Sequence, residues 1–201
     1  MINSADLKLF AVLLGGRAPG CHVELHDVVF TVGTSLEACY PKLVNKWFGS
    51  EHRLHIDASV ELRYVDHHEV IIDSQSTASN DQGLYFINFG GYKEGYFGEI
   101  HEANFYVAES KTAALYRAKT ELCIDSIVPH CDDNLLIAEH VNSYPNHHDI
   151  DDLFKVHQVD NFYIHLKPTT INQPLKVHAE YRKLDLPEIM AQAKNLRLTP
   201  A

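Results

Sequence analysis

The stretch Gly15-Gly16-Arg17-Ala18-Pro19-Gly20-Cys21-His22-Val23-Glu24-Leu25-His26-Asp27 decides the fold, because it returns altered as Gly90-Gly91-Tyr92-Lys93-Glu94-Gly95-Tyr96-Phe97-Gly98-Glu99-Ile100-His101-Glu102. One offset of 75 carries Gly15 onto Gly90, Gly16 onto Gly91, Gly20 onto Gly95, Glu24 onto Glu99 and His26 onto His101. It also carries Leu9 onto Leu84, Phe30 onto Phe105, Val32 onto Val107 and Ser35 onto Ser110. So many identities without a gap indicate an internal duplication.

Working outward from the first copy, the apolar run Leu7 to Leu14 reads as a buried strand that ends in the glycine turn. A second strand is expected from about His22 to Val32, rich in β-branched and aromatic residues and stopped by Gly33. Thr34 or Ser35 caps a helix whose Leu36, Cys39, Leu43, Val44 and Trp47 recur at helical spacing, with Gly49 in the position of a C-terminal cap. Val60, Leu62 and Tyr64 alternate with Glu61 and Arg63 as a half-buried strand does, and Asp66-His67-His68 turns into Glu69-Val70-Ile71-Ile72. The unit is ββαββ.

Ser74 to Gly83 has the composition of a linker. In the second copy the helix repeats with Ala114, Leu115, Ala118 and Leu122 at core spacing. Beyond it two registers compete. His130-Cys131-Asp132 matches His55-Ile56-Asp57 at the offset of 75, whereas Ile150-Asp151, Val159 and Asp160 match Ile56-Asp57, Val65 and Asp66 at 94, 19 residues longer. The surplus borders the polar run Tyr144-Pro145-Asn146-His147-His148-Asp149, and Phe162 to Leu166 is the closing strand. In the tail, Leu175 to Tyr181 alternates like a strand, and Asp185-Leu186-Pro187-Glu188 has the marks of a helix start. The expected architecture is α+β: duplicated ββαββ units with mainly antiparallel sheet and helices on one face. Its segments are a first repeat over 1–75, a linker over 76–83, a second repeat over 84–167 with an insertion near 140–150, and a strand-helix appendage over 168–201.

Composition bounds the function. A chain of 201 residues with 45% hydrophobic content supports a true core. A formal net charge of −10 without a cluster of Lys and Arg argues against nucleic acid or an anionic membrane surface as partner. No stretch has the eighteen or so apolar residues a membrane helix needs, and a cytoplasmic protein is expected. The 14 histidines link charge to acid pH, so that association, a homodimer included, can depend on pH. Cys21, Cys39, Cys123 and Cys131 form no C-x-x-C pair and read as reduced, packed thiols.

The residues Leu13-Leu14-Gly15-Gly16-Arg17, then Glu24-Leu25-His26-Asp27-Val28-Val29-Phe30, and Trp47-Phe48-Gly49 leading to His55-Ile56-Asp57 resemble a small bacterial family, domain of unknown function 1543, here as two tandem copies over about 7–167. The resemblance implies duplication and a bacterial origin, and it brings no activity, substrate or catalytic residue. The second copy has Tyr92 where the first has Arg17.

On an uninterrupted strand, His22, Glu24, His26, Val28, Phe30 and Val32 share one face, and Phe97, Glu99, His101, Ala103, Phe105 and Val107 share its counterpart. A Glu and a His are thus expected side by side and half buried, either as a structural network or as an acid/base pair. The functional reading that follows is a non-catalytic module that binds a small molecule or a protein in a cleft between the repeats, lined by Arg17, Glu24, His26, Glu99 and His101, with no cofactor and no assignable catalytic residue. The alternative is a metal-dependent hydrolase or oxygenase whose divalent ion is held by Glu24, His26, His55 and Asp57, a set of the right ligand types. Alternation places His55 and Asp57 on the solvated side of their strand, in phase with Glu61 and Arg63. His147-His148-Asp149 with Asp151 is a further metal candidate in a loop. Gly15 to Gly20 fits a phosphate loop in spacing alone, since Cys21-His22 leads into a strand and no Lys-Ser/Thr follows.

Overall fold

The computed structural model describes residues 6–76, 81–122, 128–129 and 149–198, with the backbone alone at 128–129 and 149–152. It is an α+β protein of antiparallel sheets, with three helices among the described residues. Two compact units divide it: 1–77 with 158–201, and 78–157. The first unit therefore includes the hairpin that a reading by repeats assigns to the second copy.

In the first unit, β1 (Lys8–Arg17) is flanked by β2 (Leu25–Gly33) and β3 (Ser50–Glu61), and β12 (Val177–Lys183) extends the sheet beyond β3 in the order β12-β3-β1-β2. Phe10, Val12 and Leu14 of β1, together with Val29, Leu54 and Ile56, face α1 (Leu36–Lys46) and α3 (Pro187–Leu198). Cys39, Leu43 and Val44 of α1 complete this core with Leu184, Ile189 and Ala193 of the tail. Each fully buried leucine here contributes about 1.5–3 kcal/mol relative to exposure.

Local chemistry sets the ends of α1. The Ser35 hydroxyl accepts the Ala38 N–H at 3.2 Å, as an N-cap should. The helix stops at Lys46, and Gly49 is not its cap. Gly49 is required instead because a Cβ there would stand 2.7 Å from the Arg17 carbonyl oxygen and 2.9 Å from the Trp47 indole nitrogen. β2 also departs from expectation, beginning at Leu25 and not near His22.

The second sheet of this unit has the order β10-β11-β5-β4, with β4 at Tyr64–Val65, β5 at His68–Asp73, β10 at Gln158–Val159 and β11 at Phe162–Pro168. Its two hairpins turn on Asp66-His67 (φ 45° and 59°) and Asp160-Asn161 (φ 50° and 66°). Two consecutive left-handed residues are the signature of the type I′ turn, whose twist suits a two-residue hairpin. Asp160 ties this hairpin to the first sheet. Its carboxylate accepts the Thr31 hydroxyl at 2.7 Å and the Val32 N–H at 2.9 Å, and pairs with Lys42 at 3.2 Å and Lys46 at 2.8 Å.

In the second unit, β6 (Gly83–Tyr92) lies between β7 (Ile100–Ala108) on one side and β8 (Val128–Pro129) with β9 (Asp149–Lys155) on the other, and α2 (Lys111–Glu121) is capped by Ser110. Tyr85, Ile87, Phe89, Tyr106, Leu115, Leu122 and Leu153 form its core. The pairing of β6 with β7, from Gly83↔Ala108 to Gly91↔Ile100, has the register of β1 with β2, from Lys8↔Gly33 to Gly16↔Leu25. β9 follows the longer offset: Tyr85↔Lys155 and Gly90↔Asp149 correspond to Phe10↔Glu61 and Gly15↔His55. The expected match at His130-Cys131-Asp132 and the loop His147-His148 lie outside the described residues.

Candidate functional site

A single cross-strand row positions the site. Gly15 of β1 pairs with His26 of β2 on one side and with His55 of β3 on the other. Directly paired residues share a face of the sheet, so both histidines stand on the side away from α1 and α3 with a side chain missing between them. The gap is filled from β3. A Cβ on Gly15 would lie 2.5 Å from His55 Nε2 and would also clash with Asp57 Oδ2.

Asp57 reaches this side because β3 is bulged. Leu13 pairs with Ala58 and Leu14 with Ile56, which leaves Asp57 as the extra residue. A bulge of this kind re-aims a side chain, and here it sets Asp57 beside His55. The alternation that placed His55 and Asp57 on the solvated side fails at this point, since His55 is only 2% exposed.

The ring of His55 is held from both edges. Its Nδ1 lies 2.7 Å from the Arg53 carbonyl oxygen, which can only accept, so Nδ1 carries the proton. Arg53 is left-handed (φ 64°), and its N–H donates to Asp185 Oδ2 at 2.9 Å. Asp185 thus anchors Arg53. The Tyr181 ring covers the His55 ring with centroids 4.3 Å apart. Nε2 points at two carboxylates, 3.2 Å from Asp57 Oδ1 and 3.4 Å from Glu24 Oε1. His26 Nε2 is 3.1 Å from Asp57 Oδ2. Close as these contacts are, neither His55 Nε2 nor Asp57 Oδ2 makes a hydrogen bond of acceptable geometry. Nε2 thus faces two carboxylates with its hydrogen-bonding capacity unused. The backbone bond alone does not distinguish His55, because His68 and His157 make the same contact to the carbonyl two residues before them, at 2.7 and 3.1 Å.

Glu24 and His26 do not pair with each other as expected from a regular strand. Glu24 precedes β2, the two side chains are 41% and 47% exposed, and each turns to a residue of β3. In the second unit Glu99 and His101 are 3.6 Å apart, and Gly90 pairs with His101 and with Asp149, so aspartate takes the place of His55. Arg17 stands apart from the cluster, at the end of β1, lining a shallow surface depression with Ala18, Pro19, Ser50, His52 and Arg53. Among the described residues, no three His, Cys, Asp or Glu side chains stand in a ready-made metal-holding arrangement. The described thiols, half-buried Cys21 and buried Cys39, are free. Arg53, Tyr181 and Asp185 were not legible as parts of the site, since no motif marks a left-handed residue or a partner 132 positions downstream, the separation of Arg53 and Asp185.

The first unit thus sets an imidazole–carboxylate group over a glycine in the central strand of an antiparallel sheet. Residues 21–72 match the family described as Domain of Unknown Function (DUF1543). The matched segment contains Glu24, His26, His55 and Asp57. A solved structure similar to this chain is the crystal structure of protein Il1583 from Idiomarina loihiensis, at 30% identity and a TM-score of 0.64, covering 89% of this chain and 97% of that one. No curated protein matches.

Proposed function

We propose that the chain is a non-catalytic binding module made of two tandem ββαββ copies, and that it takes its ligand on the first sheet at Glu24, His26, His55 and Asp57. Buried His55, whose Nε2 lacks a hydrogen bond while facing two carboxylates, carries this reading. Leaving such a group unsatisfied costs about 1–3 kcal/mol, a cost that a bound ligand removes. The matching registers of β1–β2 with β6–β7 and of β1–β3 with β6–β9 support the duplication. Glu99 with His101 is the equivalent place on the second unit, Arg17 is a separate candidate contact at the end of β1, and a bacterial, cytoplasmic setting goes with this reading. Thermal-shift screening of small molecules tests it. A compound that stabilises the wild type should lose its effect on Glu24→Ala and His26→Ala, and compounds that stabilise all three proteins equally would refute the assignment.

A second reading is a metal-dependent hydrolase or oxygenase on the same four residues. The observation in its favour is the partial exposure of Glu24 and His26, which leaves the cluster open to a substrate. Turnover of ester, phosphoester or oxidisable substrates that appears only with added metal and vanishes in His26→Ala would establish it.

A further inference from the structure

Granting the binding site just proposed, we infer that its ligand is a divalent first-row transition metal, anchored by His55 Nε2 and the Asp57 carboxylate and closed by Glu24 and His26. Four features of the cluster converge on this chemistry.

The donor set is two imidazoles and two carboxylates, the types that zinc, manganese and iron share. The spacing also fits. Donor atoms about 2.1 Å from a common ion are about 3.0–3.4 Å from one another, and the contacts run through that range from Glu24 to His55 to Asp57 Oδ1, and from Asp57 Oδ2 to His26, at 3.4, 3.2 and 3.1 Å. Hydrogen bonds do not explain these approaches, because His55 Nε2 and Asp57 Oδ2 make none of acceptable geometry. A cation between the lone pairs would satisfy both atoms.

His55 is also set up as a ligand from behind. A metal-bound histidine characteristically donates its other ring N–H to a carbonyl or carboxylate, which fixes the tautomer and the ring plane. The Arg53 carbonyl does this at 2.7 Å, held there by a left-handed backbone and by Asp185. The histidine is 98% buried and Tyr181 stacks on it, so the ring cannot turn its Nε2 elsewhere. Gly15 supplies the room, since any side chain there would occupy the space of His55 Nε2 and Asp57 Oδ2. No three of these side chains yet stand in a metal-holding arrangement, so Glu24 and His26, 41% and 47% exposed, are the ones that must move onto the ion beside buried His55.

The test uses the full chain, prepared without an affinity tag and stripped with a chelator. Zn²⁺ and Mn²⁺ are titrated by calorimetry, and Co²⁺ by its visible absorption, against the wild type, Glu24→Gln, His26→Ala and Asp57→Asn, with a thermal melt confirming that each variant folds. One site per chain is expected, weakened about 10- to 100-fold or more in each variant, since even outer-shell changes have that effect. Metal affinity and stoichiometry unchanged in all three variants would assign any binding to other histidines and overturn the inference. If no metal binds but an organic compound stabilises the wild type and not His26→Ala, the metal inference falls and the binding site stands. If neither metal nor compound separates the wild type from the variants, both fall.

Discussion

The space that a Cβ would fill on Gly15 is taken by His55, whose Nε2 stands 2.5 Å from where that carbon would be. The glycine is needed for close approach and not for its backbone freedom. Gly15→Ala should therefore lower stability by about 1–3 kcal/mol, the cost of overpacking, because His55 is buried under Tyr181 and cannot yield cheaply. Urea unfolding checks this. A variant as stable as the wild type would show that the histidine has another place to go.

Tyr181→Ala removes the ring that covers His55 and should leave the strand pairing of β12 intact, since Tyr181 is itself 59% exposed. Diethyl pyrocarbonate labelling followed by peptide mass mapping should show His55 reacting faster than in the wild type, with His26 as the exposed internal standard. Unchanged His55 labelling would mean that the ring is shielded by something other than Tyr181.

Asp160 is the joint between the two sheets of the first unit. Burial works to raise its carboxyl, but the hydrogen bonds from Lys46, the Val32 N–H and Thr31 outweigh burial and hold it below the ordinary carboxylate range. A depressed folded-state value means that this contribution is complete above the unfolded value near about 4 and is lost as pH falls through the folded one. Asp160→Asn keeps a residue tolerant of the left-handed turn, and should cost about 3 kcal/mol at neutral pH by breaking a buried pair. The gap between variant and wild type should narrow as pH drops below about 4. Chemical denaturation across pH 3 to 7 measures it.

Leu184, fully buried among residues of β1, β3 and α1, makes the tail part of the core. Leu184→Ala should cost about 2–5 kcal/mol. A loss below about 1 kcal/mol would place the tail outside the cooperative unit.

Much of this architecture was written in local pattern. The apolar run before the glycine turn, the Ser35 and Ser110 caps and the strand and helix of the tail all rest on near-neighbour chemistry, which a single chain displays. The site was half legible. Glu24, His26, His55 and Asp57 are recognisable as ligand types, yet their meeting depends on a bulge at Asp57, and a bulge leaves no mark in residue alternation. For the same reason the expected Glu24–His26 pair dissolved: β2 starts one residue after Glu24, so the strand that would have aligned the two is not yet formed there. Arg53 and Asp185 act through backbone atoms and a long-range bond, and neither is encoded by spacing.

The pairing of β5 with β11 has a consequence for how the protein is made. The first unit opens at the start of the chain and is finished by residues 158–201, with the whole of 78–157 nested between. A ribosome reading from the N-terminus thus releases β1, β2, α1 and β3 long before Leu184 and Ile189 exist to seal them. The later-born segment, whose strands are contiguous in sequence, is the one that can close first, reversing the usual N-to-C order of cotranslational folding. During that interval the cluster of Glu24, His26, His55 and Asp57 lacks Tyr181 and Asp185, so the site is completed only after residues 181 and 185 are made.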